Sequence, residues 1–276
     1  MSSKSLTFQK CLPLCEAGDR EAWAYLLRNY APIGFRVLDF YLPSLRGDEQ
    51  RQFWQEALAA LTANQYERLR TFDHLSEREF LMDLRTFLLE LGAARLGSST
   101  EPAGAPKMTP DSLAALFHDL PFAHQEVVFL KLAGYSDATT EKIAGVPPSI
   151  AGKALENFAA QYAPILRHGG DSCPWPVQWL GLIRQARASR TPECVARRLL
   201  VRIFDGQISW YEKSPAEAHL SRCVNCMESW IALREINFLR KVAAPLPPAD
   251  VDELLSRLSF APPAARGSLF RRWFGS

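Results

Sequence analysis

The chain has 276 residues, a formal charge of +2 and 47% hydrophobic residues, which is ordinary for globular protein and enough for two or three small domains. No uninterrupted apolar run is long enough to span a bilayer, and Met1 to Lys10 lack the apolar core of a secretory signal, so a cytoplasmic chain is expected. Six cysteines without an export signal point to metal or thiol chemistry, not to disulfides.

Charge is uneven along the chain. Residues 1–98 carry 12 Lys+Arg against 13 Asp+Glu, and residues 111–168 carry 4 against 6. Residues 169–276 carry 15 against 10, a net +5. A domain that grips DNA must neutralise phosphates and is usually basic. The first two segments are slightly acidic.

The pattern is helical almost everywhere, and an all-α architecture is predicted. Residues 1–96 read as one helical unit. Within it Leu84, Phe87, Leu88 and Leu91 fall on one helix face. Cys11 and Cys15 stand four apart, as a redox pair or as two core cysteines. Residues 97–110, rich in Gly, Ser, Ala and Pro, read as a linker. A second helical unit spans 111–165, opened by Thr109-Pro110 as cap and first turn. Leu113, Leu116, Phe117 and Leu120 repeat the helical spacing there. A connector covers 166–189, and a tail of several prolines with a basic-aromatic end, Ser268 to Phe274, covers 243–276. That end suits an anionic membrane, a partner groove or a docked terminal turn.

The third unit, 190–242, carries the sharpest signal. Ala218 to Cys226 reads His-x3-Cys-x2-Cys, with His219, Cys223 and Cys226 as soft donors and Cys194 25 residues before the histidine. Four such ligands form a closed tetrahedral site for one structural Zn2+, with no open position for a substrate. Cys173 is the rival for the fourth place. Thr191-Pro192 is predicted to cap a helix with Cys194 in its first turn and Leu199, Leu200 and Ile203 inward, ending at Asp205-Gly206. Ser214-Pro215-Ala216-Glu217 reads as a capping box that starts the helix of His219, with Cys223 on the same face. No phosphate-cradling glycine loop and no nucleophile–base pair is legible, so no enzyme is expected.

In this unit Cys194, then Phe204-Asp205-Gly206-Gln207-Ile208-Ser209, then Ala218 to Cys226, resemble the zinc-binding anti-sigma domain. The resemblance covers about residues 190–240 and implies a small helical module that clasps a sigma factor. The N-terminal unit is in turn similar to region 2 of an extracytoplasmic-function (ECF) sigma factor. Leu14 to Trp23, Tyr30-Ala31-Pro32, Arg70 to Asp73 and Phe80 carry that likeness, and Phe53-Trp54-Gln55-Glu56-Ala57-Leu58 resembles its polymerase-contacting helix. The resemblance implies Phe53, Gln55 and Glu56 as contacts to the RNA polymerase core.

Residues 113–160 resemble the sigma helix-turn-helix of region 4. Leu120-Pro121, Val127 to Leu130, Gly134-Tyr135-Ser136 and Ile143 to Val146 match it, with a recognition helix from about Ser149. Such a helix lies in the major groove of promoter DNA. Ser149, Lys153 and Asn157 are the implied DNA contacts. The departures are chemical: Gly152, Ala154 and Asn157 stand where Lys or Arg is usual, Glu156 opposes Lys153, and Thr140-Glu141 replace a buried Ile-Ala. In the promoter-melting helix, Leu81, Asp83, Leu89 and Glu90 replace Arg, Trp and Asn types. The combined expectation is an ECF-sigma-type regulator with a zinc anti-sigma module acting in cis. The alternative is a sigma-shaped adaptor that binds polymerase or another protein without reading DNA. The basic C-terminal third is expected to dock on the acidic parts through charge and through the apolar helix Trp230, Ile231, Leu233, Ile236, Phe238 and Leu239.

Overall fold

A computed structural model of the chain describes residues 6–73, 75–96, 109–111, 114, 120–133, 135–147, 153, 156 and 183–258. Among these residues every regular element is a helix and no strand forms, as the 3.6-residue periodicity predicts. The N-terminal part contains α1 (Phe8–Glu16), α2 (Arg20–Tyr41), α3 (Asp48–Arg70) and α4 (Glu77–Leu96). Asp19 starts α2 by accepting the N–H of Ala22. Gly34 lets α2 and α3 approach closely, since a Cβ there would stand 2.4 Å from the Trp54 ring. α3 breaks at Ala63–Tyr66, where Asn64, Gln65 and Tyr66 all take positive φ. On α4, Leu84, Phe87 and Leu88 are buried as their spacing predicts.

Next come α5 (Phe122–Leu132) and α6 (Asp137–Ala144). Ser136 caps α6 through the N–H of Thr139, and Gly145 closes it in the left-handed region at φ 67°. Residues 183–188 are helical. They lead to α7 (Arg197–Phe204), α8 (Trp210–Leu220), α9 (Val224–Val242) and α10 (Pro248–Ser256). The prolines of 243–248 do not leave a loose end at that point. The Leu246 N–H donates to the Arg28 carbonyl at 2.9 Å, Pro248 opens α10, and Val251, Leu254 and Leu255 are buried where α10 packs on α2.

α9 is the axle of the fold. It packs on α2 and α4 on one side, on α5 and α6 on another, and on α7 and α8 beside its start. Trp230, Ile231, Leu233, Ile236 and Leu239 are all buried, and Phe238 is half-buried. Each fully buried large apolar side chain contributes about 1.5–3 kcal/mol of transfer free energy. The buried apolar residues of the described parts of 1–96, 111–165 and 190–242 therefore form one continuous core.

A buried ionic network crosses that core. Arg85 of α4 is 1% exposed. Its Nε donates to Glu235 at 2.9 Å, Nη1 to Glu228 at 2.6 Å and Nη2 to the Tyr41 hydroxyl at 2.7 Å. Tyr41 in turn donates to Glu235 at 2.8 Å. Glu228 and Glu235 lie two turns apart on one face of α9. Burial pushes the Glu228 carboxyl up, but Arg187 and Arg85 overcome this and hold it below the usual range. Around the rim, Arg197 pairs with Asp83, Arg240 with Glu77 at 2.6 Å and Arg78 with Asp205 at 2.5 Å. The charge sense is thus mixed. The deepest pairs run opposite to the expected one, with the arginine on α4 and the glutamates on the basic C-terminal third.

Two measurements probe this packing. Arg85→Met leaves Glu228 and Glu235 short of a cation and should destabilise by about 3–5 kcal/mol in urea unfolding. A loss under about 1 kcal/mol would mean that the network relaxes without cost. The second concerns Glu79, buried at the start of α4 and pushed up to about 7 by burial and by its hydrogen bond to Asp73. Its folded pKa exceeds the unfolded one, so stability is full below about pH 4.5 and falls as pH rises toward 7. Glu79→Gln keeps a donor for Asp73 and should flatten that slope, gaining about 2 kcal/mol at pH 8.

Candidate metal centre

The four predicted ligands come together at the junction of three helices. Cys194 is not in the first turn of a helix. It ends the turn 192–194 ahead of α7, which begins at Arg197 with Ala196 as its cap. The reason lies in the backbone donors. The Thr191 N–H donates to Cys194 Sγ at 3.3 Å, and the Val195 N–H donates to Cys226 Sγ at 3.3 Å. Both are committed to sulfur before the helix starts. Leu200 and Ile203 then face inward, Leu199 is half-buried, and Asp205-Gly206 end α7, with Gly206 at φ 68°.

α8 starts five residues earlier than Ser214-Pro215-Ala216-Glu217 suggested. The capping box is Ser209 with Glu212, and Pro215 lies inside the helix. Pro215 offers no N–H to Tyr211, a residue that is 88% exposed, so water can satisfy that carbonyl. His219 sits in the last turn of α8. Cys223 is not on the same helix: it caps α9, and its N–H donates to the His219 carbonyl at 3.0 Å across the corner. Cys226 follows in the first turn of α9 and is buried.

The donor atoms of Cys194, His219, Cys223 and Cys226 all lie within 4.8 Å of one another and can hold one metal ion. Three observations fit this set to a metal. First, Cys194 Sγ and Cys223 Sγ are 3.7 Å apart, and a tetrahedron with metal–sulfur bonds of about 2.3 Å has an edge of about 3.8 Å. Second, His219 Nε2 is buried without a hydrogen-bond partner, which costs free energy unless an ion takes its lone pair. Third, the Val195 and Thr191 N–H groups already point at sulfur, as partners of thiolates do. The thiols are uneven without an ion. Hydrogen bonding from Cys226, and after it from Cys194, holds Cys223 down to about 4 against the effect of burial, while Cys223 and burial push Cys226 up. A cation removes that conflict by allowing every sulfur to ionise. Cys173, the rival fourth ligand, lies outside the described residues.

The other predicted positions fall as follows. Phe53 is buried in the core, Gln55 is half-buried, and Glu56 is exposed and pairs with Arg95 at 3.1 Å. Only Gln55 and Glu56 of that trio thus reach the surface. Ser149 and Asn157 lie outside the described residues, while Lys153 is helical and exposed, as is Glu156. Thr140 is fully buried. Leu81 and Leu89 are core residues, Asp83 pairs with Arg197, and Glu90 pairs with Arg68 at 2.7 Å. Cys11 and Cys15 are both buried with sulfurs 3.8 Å apart, and burial keeps the Cys15 thiol protonated. The basic-aromatic end lies outside the described residues.

Sequence reasoning missed Arg85, Glu228 and Glu235. The signal was present, because both glutamates interrupt the apolar face of α9, seven residues apart. A charge inside an apolar stripe asks for a buried partner.

Comparison with known proteins adds no template, since no family model, curated protein or solved structure matches the chain. Among the described residues, no helix is long and apolar enough to cross a membrane.

Elemental analysis of the purified protein should find about one tightly held divalent metal per chain. Replacing both Cys223 and Cys226 by Ser should bring that to near zero. Because Cys226 belongs to α9, the same variant should lower the Tm of the whole molecule by more than roughly 5 °C. Full metal occupancy in the double variant would show that the ligand set is wrong.

Proposed function

We propose that this chain is a transcription regulator of the ECF sigma type, with a zinc module folded back in cis on both sigma-like parts. The ion is taken to be Zn2+, because three thiolates and one imidazole in a closed tetrahedron are its preferred structural donors. Structural zinc binds such sites with roughly 10–16 kcal/mol at neutral pH, enough to organise the corner of α7, α8 and α9.

The observation that carries this reading is the position of α9. It runs directly on from the metal ligands and fills the space between α2–α4 and α5–α6. Arg85 and Tyr41 grip it from the region-2-like part. On the helix-turn-helix side, buried Glu126 accepts from Trp230 and pairs with Arg234 at 2.7 Å, and Gln125 donates to the Ser221 carbonyl at 3.2 Å. A module so placed fixes the distance between two parts that a sigma factor must set independently on DNA. It restrains them without chemistry of its own, and the reading assigns the chain no catalytic step.

A second reading is favoured by α4. Where the resemblance would place promoter-melting side chains, Leu81 and Leu89 are buried and Asp83 is engaged by Arg197. On that reading the chain is an adaptor that keeps the sigma shape and binds RNA polymerase or another protein, with Gln55 and Glu56 near the contact.

Transcription in vitro with core polymerase and a random promoter library separates the two. The regulator should be silent when zinc-loaded and select a reproducible promoter sequence once zinc is removed or its thiols are blocked. The adaptor should bind polymerase and select no sequence in either state. In both cases the isolated segment 111–168 should bind DNA weakly, with a salt slope no steeper than about −2 in log affinity against log salt, given its single exposed recognition-helix lysine. Tight, sequence-specific binding by the intact zinc-loaded chain at physiological salt would remove both readings.

A further inference from the structure

One cleft among the described residues gathers three arginines. It lies beside the metal corner and is lined by Arg187, Arg190, Val195, Arg197, Asn225 and Ser229, with a volume of about 110 Å³. Arg197 has a partner in Asp83. Arg187 shares Glu228 with Arg85, each guanidinium facing a different carboxylate oxygen. Glu228 stands 3.9 Å from Arg187 but is held at 2.6 Å by Arg85, and the closest bond of Arg187 is to the neutral hydroxyl of Thr86. Arg190 is exposed and makes no ion pair among the described residues. Three guanidinium groups thus line one cleft, with Asp83 on Arg197 and the second oxygen of Glu228 near Arg187, and Arg190 is left without an ion pair among the described residues.

The Arg187 charge is costly where it sits. The Arg187 side chain is only 18% exposed. Burial holds its pKa below the ordinary arginine value, Glu228 opposes this, and Arg197 and Arg85 add to the depression. The cleft is also held open from beneath. Asn225 donates to the carbonyls of Ala186 at 3.1 Å and Arg187 at 3.4 Å, fixing the backbone that carries Arg187 and Arg190. α7 begins at Arg197 on the cleft wall, with no acidic residue in its first turn and no side-chain cap at Ala196. The Ser229 hydroxyl supplies a neutral donor. The space is large enough for one tetrahedral oxyanion.

We propose that this cleft is a binding site for a phosphate-class dianion, either free phosphate or the phosphoryl group of a small monoester whose remainder projects outward. Arginine forks suit such an ion through paired N–H donors. The site joins the two halves of the fold, because Arg187 reaches Thr86 and Arg197 reaches Asp83 on α4, while Val195 and Asn225 adjoin the metal ligands Cys194 and Cys226. A bound dianion draws Arg187, Arg190 and Arg197 together and stiffens the contact of the metal corner with α4.

The test is thermal unfolding of the metal-loaded full chain at constant ionic strength, titrated with inorganic phosphate, with glycerol phosphate and with chloride as the control. Millimolar phosphate or glycerol phosphate should raise Tm by roughly 3 °C or more, while chloride does not. A stronger response to glycerol phosphate points to a monoester, and an equal or weaker one to the free ion. Arg190→Ala, a surface change, should leave the Tm without phosphate unaltered and reduce apparent affinity about tenfold, the loss of one charged hydrogen-bonding partner. Ser229→Asp places a carboxylate among the arginines and should abolish the response. Phosphate is also a general stabiliser by exclusion from protein surfaces. An equal Tm rise in wild type, Arg190→Ala and Ser229→Asp, or no rise beyond that of chloride, would overturn the proposal.

Discussion

The arrangement of the whole molecule depends on a guanidinium that has left water. Arg85 can stay ionised at 1% exposure only if its donors find anionic acceptors at bonding distance, and those acceptors are Glu228 and Glu235. The three side chains therefore have to meet, and meeting them fixes α4 against α9. Tyr41 adds α2 by donating to Glu235 and accepting from Arg85. Tyr135, just before α6, packs edge-on to Tyr41, ring centroids 6.3 Å apart, and face-tilted on Phe40 at 4.3 Å. Apolar surfaces alone would let helices slide over one another with small losses. A buried ionic contact does not, because a displaced partner leaves a charge without solvent or counter-charge.

This makes the register of α9 the quantity that matters, and the metal corner sets it. Cys226 and Glu228 are two residues apart in the first turns of the helix. One residue of slip rotates a helix by about 100° and would carry both carboxylates away from Arg85. An ion bound to Cys194, His219, Cys223 and Cys226 would pin the start of α9 and so hold Glu228 and Glu235 in line. The metal site and the ionic network are two clamps on one helix. Their effects on stability should not be additive, because loss of either lets the helix move away from the other.

Much of this was legible in the residues. The His-x3-Cys-x2-Cys spacing and Cys194 identified the donor set, since local spacing survives small errors in helix boundaries. The apolar stripe of α9 was legible too, and so was the end of α7 at Asp205-Gly206. The boundaries near the site were not. Ser214-Pro215 imitates a helix start, yet Ser209 with Glu212 forms the cap, because proline inside a helix is tolerated where the freed carbonyl is exposed. Cys194 looked helical, but two backbone N–H groups near it are claimed by sulfur. Arg85 was illegible for a different reason. Its partners lie 143 and 150 residues away, and no periodicity connects them.

The same geometry constrains what could loosen α9 from the core. Salt screens exposed pairs over about 8 Å at physiological ionic strength, and it would weaken the rim contacts of Arg240, Arg197 and Arg78. These are worth no more than about 1 kcal/mol each. The Arg85 network is beyond the reach of screening ions, and the apolar face of α9 is strengthened, not weakened, by many salts. Ionic strength is therefore a weak lever on this packing. The vulnerable point is the corner where Cys194 and Cys223 are only half-buried and their sulfurs stand 3.7 Å apart. With an ion bound there, oxidation or metal loss would remove the pin on the first turn of α9, and the register on which Arg85 depends would go with it.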